Sequence, residues 1–122
     1  MKRVAIILAM LLAGCASLPE GKKAIYMGHN CAGGEMTVRF TEYTSLAPTL
    51  DCMRVAAAMG VSATDVALMV LSLPVACAMT TAQGSAVVLP PNAPDALRHH
   101  EYEHLTGRRH PPLVPFYLGD GC

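Results

Sequence analysis

The sequence predicts a small α+β domain, with a short antiparallel sheet or hairpins and a final helix that carries the chemistry. Three observations point there. Residues 35–43, Glu-Met-Thr-Val-Arg-Phe-Thr-Glu-Tyr, alternate polar and apolar side chains with the period of a half-buried strand. Residues 49–59 and 62–71 instead place apolar side chains at helical spacing. Pro90, Pro91 and Pro94 then separate a second strand pair from the last helix, so strands and helices come in runs rather than in strict alternation.

Residues 1–14 stand apart from the fold. Lys2 and Arg3 precede an apolar stretch from Val4 to Leu12. A permanent membrane span needs roughly 20 such residues, and this run is about nine, which is the pattern of a cleaved signal. It ends in Leu12-Ala13-Gly14-Cys15, which resembles the lipobox of bacterial lipoproteins. That resemblance implies cleavage before Cys15 and diacylglycerol on its thiol. Ala16, rather than Asp, follows the cysteine, so the implied location is the outer membrane, facing the periplasm. Residues 15–23 then form the lipidated N-terminus and a polar tether containing Pro19 and Gly21. Residues 24–122 form one small domain.

Within the domain, residues 24–28 and 35–43 are expected to pair as strands across a turn at Gly33-Gly34. A helix over Thr49–Met59 stops at Gly60, a residue that accepts the left-handed backbone. Ser62-Ala63-Thr64-Asp65 fits a capping box ahead of Val66–Leu71, and Pro74 closes that segment. Met53, Met59 and Met69 read as packing residues of this scaffold. Val75–Thr80 and Ser85–Leu89 flank Gly84 as a hairpin. Asn92 or Asp95 is positioned to cap the last helix, which runs over Ala96–Thr106 to Gly107.

Four cysteines follow Cys15: Cys31, Cys52, Cys77 and Cys122. An even number in an oxidising compartment predicts two disulfides, and three pairings are possible. No two of the four lie two to four residues apart, which argues against a cysteine-based zinc site. Nine basic and nine acidic side chains give a net charge of zero, and the Arg108-Arg109 pair is too short for a basic patch. Nucleic acid is therefore not an expected partner.

The last helix reads His100-Glu101-Tyr102-Glu103-His104-Leu105-Thr106-Gly107-Arg108-Arg109-His110, which is HExxHxxGxxH at every specified position. At 3.6 residues per turn, His100 and His104 project from one face and can aim both imidazoles at one ion. Glu101 lies beside that face, where it can accept a proton from a metal-held water without being a ligand. Gly107 permits a sharp turn that brings His110 round as third ligand. Three imidazoles leave one tetrahedral position for water, the arrangement of a catalytic rather than a structural zinc. The full pattern would arise from composition alone in roughly one such chain in tens of thousands. Glu103 lies about half a turn from the histidine face and reads as a surface residue.

Residues 100–110 resemble the zinc-binding signature of the metzincin metallopeptidases. The resemblance implies a zincin-like domain, Zn2+ as cofactor on His100, His104 and His110, and Glu101 as general base. It also implies an edge strand, here Ser85–Leu89, that holds an extended peptide substrate. The chain differs in having no methionine after His110, the last being Met79, and in its small size. Tyr117 is a candidate oxyanion stabiliser. Asp120 and Glu42 are candidates to orient a histidine from behind. The expected activity is hydrolysis of envelope polypeptides or cell-wall peptides, and the alternative is a non-catalytic zinc-binding or structural envelope lipoprotein.

Overall fold

The computed structural model describes residues 18–109, together with Arg3. Alternation over the first half of the domain produces a long antiparallel pair, β1 (Gly21–His29) and β2 (Glu35–Thr44), in the register Ile25 opposite Arg39. The turn between them is organised by Asn30, whose Oδ1 accepts from the backbone N–H of Ala32 and of Gly34, each at 3.0 Å. Gly33 supplies the positive φ of +87° that this turn requires.

Two helices follow, α1 (Pro48–Ala58) and α2 (Ala63–Leu71). Pro48 starts α1, where its missing N–H costs nothing. Buried Asp51, in the first turn of α1, accepts from Ser45 Oγ, and Ser45 Oγ in turn accepts from Ala47 N. Gly60, at φ +82°, ends α1. Ser62 caps α2 as expected, its Oγ accepting from Asp65 N at 3.2 Å. Met59 and Met69 pack against the core, as their packing role requires.

A hairpin, β3 (Cys77–Thr81) and β4 (Gly84–Leu89), precedes α3 (Asp95–His104). Neither Asn92 nor Asp95 caps α3. Pro94 occupies the cap position, Asn92 sits in a left-handed turn at φ +55°, and Asp95 is already inside the helix. Gly107 terminates the segment at φ +95°, as its position predicted.

The strand order is β1-β2-β4-β3, and β2 runs parallel to β4. The sheet is thus mixed rather than antiparallel, because α1, α2 and β3 form a crossover between β2 and β4. Its two faces are covered differently. Val38, Phe40, Val87 and Leu89 point to α3, meeting Leu97 and Leu105. Ala86, Val88, Cys77 and Met79 point the other way, against Cys52, Val55 and Ala56 of α1. Cys52 and Cys77 are joined in a disulfide that ties α1 to β3. Cys31 is likewise disulfide-bonded, and Cys122 lies outside the described residues. Among the described residues no helix is long and apolar enough to cross a membrane.

Candidate metal centre

Helix α3 sits on the sheet through Leu97 and Leu105, and this docking turns His100 and Glu101 inward, leaving each only 7 % and 5 % exposed. One turn on, His104 stands beside His100, with the two ring planes nearly perpendicular at 85°. The two Nε2 atoms are 3.2 Å apart. A tetrahedral ion bound by two imidazoles at about 2.0–2.1 Å holds their nitrogens roughly 3.3 Å apart, so this spacing suits a shared metal.

The backbone settles which nitrogen of His104 is available. His104 Nδ1 lies 2.8 Å from the Arg108 carbonyl oxygen, and a carbonyl can only accept, so Nδ1 carries the proton. In the neutral ring the lone pair is then on Nε2, the atom facing His100. Holding one ring nitrogen by a carbonyl while the other meets the ion is how metal-bound histidines are commonly oriented. The left-handed Gly107 produces the bend that presents this carbonyl.

Glu101 completes the group. Its Oε1 is 4.0 Å from His100 Nε2, and one ligand atom from each of His100, Glu101 and His104 falls within 4.8 Å of the others. The three residues thus form a group able to hold a metal ion. Two imidazoles favour a transition metal over calcium or magnesium, which take oxygen ligands. His110, Tyr117 and Asp120 lie outside the described residues, as does Cys15.

The remaining polar residues of α3 face away from this group. Glu42, expected as a possible partner for a histidine, instead accepts from Arg98 and from the Tyr102 hydroxyl, on the opposite side of the helix. Arg98 also donates to the Tyr102 oxygen at 3.1 Å. Burial pushes the Tyr102 hydroxyl above its ordinary range, and the hydrogen bond to Glu42 adds to that. The ring of Tyr102 packs on Phe40 and Tyr26, so the cluster pins α3 to β1 and β2. Glu103 is half-buried and pairs with His99 at 2.8 Å.

A groove of about 1120 Å³ passes the histidines, lined by His100, Glu101 and His104 and by Ala78 and Thr80 of β3 with Ala76 just before it. The strand bordering it corrects the expectation for Ser85–Leu89. That segment lies in β4, which is paired on both sides, and β3 is the edge strand. Alternation alone marked both strands of the hairpin, while only the parallel β2–β4 pairing decides which is interior. Two contributors had no signature in the sequence. The Arg108 carbonyl is backbone, and the β1–β2 turn reaches the groove from far away in the chain, where the Cys31 sulfur lies 3.8 Å from the Gly107 carbonyl oxygen.

The chain matches no family model, no curated protein and no solved structure.

Proposed function

We propose that this protein is a zinc-dependent metallopeptidase, metzincin-like in its motif, anchored in the bacterial envelope through a lipid on Cys15. The observation that carries the reading is the 3.2 Å approach of His100 and His104 Nε2, with the His104 tautomer set by the Arg108 carbonyl. In the proposal His110 is the third ligand and Tyr117 the oxyanion donor.

Bound there, zinc supplies a Lewis acid for a peptide carbonyl and acidifies a coordinated water. The side chains do the rest. His100 and His104 orient the ion's coordination, and the buried His100 is kept in place by the packing of α3 on the sheet. Glu101, with its Oε1 4.0 Å from His100 Nε2, takes the proton of the attacking water and delivers it to the leaving amine. Among the described strands β3 pairs only with β4, and its outer edge lies along the same groove, where an extended peptide can add as a further strand, its backbone hydrogen bonds holding the scissile bond near the ion. The substrate class is accordingly an extended polypeptide or cell-wall peptide.

The test compares Glu101→Gln with the unmodified protein for zinc content and for cleavage of an unfolded protein substrate. The variant is expected to keep its zinc and lose about 10²–10⁴-fold in rate. If both proteins hold zinc and neither cleaves, the non-catalytic zinc-binding lipoprotein replaces the peptidase. Zinc missing from folded, oxidised protein would remove both.

A further inference from the structure

Helices α1 and α2 cover only part of their face of the sheet. They pack on β3, β4 and the end of β2, through Ala86, Val88 and Tyr43. Among the described residues, nothing packs on the β1–β2 half of the same face. By register it carries Lys23, Ile25 and Met27 on β1, opposite Thr41, Arg39 and Thr37 on β2. Ile25 is 61 % exposed and Met27 76 %, although Ala24 and Tyr26, on the opposite face, pack against the core. A hollow of about 530 Å³ opens on this half, bordered by Lys23, Ile25, Arg39 and Thr41, with Met59 and Gln83 on its far side.

We infer that this face rests on an anionic lipid surface. Its central six positions hold two cations, two large apolar side chains and two threonines, with no carboxylate among them. Lysine and arginine place their heads among phosphates while their stems and the neighbouring Ile25 and Met27 meet the acyl boundary. Each basic side chain near an anionic bilayer strengthens binding by about fivefold. Position favours the same occupant, and here the inference rests on the proposed Cys15 anchor. Residues 15–21 reach at most roughly 20 Å when extended, so β1 starts close to the lipid. The orientation has a functional consequence. His100 and His104 belong to α3, on the opposite face of the sheet from Ile25 and Met27, so the metal group is held on the side away from the bilayer.

The experiment uses the full chain, anchored in vesicles of phosphatidylcholine with or without phosphatidylglycerol, some lipids bearing a headgroup nitroxide. A fluorophore is placed at Thr37→Cys, opposite Met27, or at Ala96→Cys, exposed on α3. Quenching at position 37 is expected to exceed that at 96 by at least about twofold in the anionic vesicles. Adding Lys23→Glu and Arg39→Glu is expected to abolish the difference. Equal quenching at the two sites, indifference to the charge reversal, or failure of the full chain to float with vesicles would overturn the inference. So would cross-linking between position 37 of two copies, which would assign the face to a second molecule. Zinc content read on the same samples separates this outcome from the fate of the metal site.

Discussion

His104 meets a backbone carbonyl at one ring nitrogen and its neighbour His100 at the other, and two substitutions probe this arrangement. His104→Ala removes the ring and is expected to abolish stoichiometric zinc binding while the circular dichroism stays unchanged. Gly107→Ala keeps the ring and acts on the backbone contact alone. Alanine at φ +95° costs about 1–2 kcal/mol, and relaxing that strain moves the Arg108 carbonyl away from Nδ1. Zinc affinity, measured by chelator competition, should then fall about 10–100-fold with all side-chain ligands intact. The identities of His100, Glu101 and His104 were open to reading because they fall within five consecutive residues of one helix. Their orientation was not, because it depends on a carbonyl that every residue possesses. Glu42 shows the converse: a plausible carboxylate by type, it is directed by β2 to the far side of α3, where it meets Arg98 and Tyr102.

The elements divide between those set locally and those set by pairing. The ends of α1 and α2 follow from Pro48, Gly60 and Ser62, whose effects reach only a few residues, so they agree with the pattern to within one to three positions. The place of β4 inside the sheet comes instead from its parallel contact with β2, more than forty residues away, and no local periodicity encodes that partner. The Cys52–Cys77 disulfide bridges these two classes by tying α1 to β3 across a separation of 25 residues. Replacing both cysteines by alanine is expected to destabilise the protein by about 3 kcal/mol, since the unfolded chain regains the entropy of an open loop. Thermal unfolding should report this as a fall of on the order of 10 °C or more. A smaller loss would mean that packing alone keeps β3 beside α1.

Across the whole molecule, two tyrosines on the α3 side of the sheet link stability to pH. Tyr26 and Tyr102 both have hydroxyls held above their ordinary range, burial being the first cause for each, followed by the Glu103 charge at Tyr26 and the Glu42 hydrogen bond at Tyr102. The unfolded chain therefore gives up these protons first. Their contribution is complete below about pH 10 and is lost as the pH rises through the folded-state values. The urea midpoint should fall as the pH rises above about 10, and less steeply in Tyr102→Phe. At neutral pH the fold is meant to hold two imidazoles against an edge strand, and that arrangement is tested most directly by X-ray absorption at the zinc edge of the oxidised protein. One zinc per chain surrounded by imidazole nitrogens at about 2.0–2.1 Å is the expected spectrum, reduced in occupancy by His104→Ala. Folded protein without zinc, or a shell of sulfur at about 2.3 Å, would contradict the account at its centre.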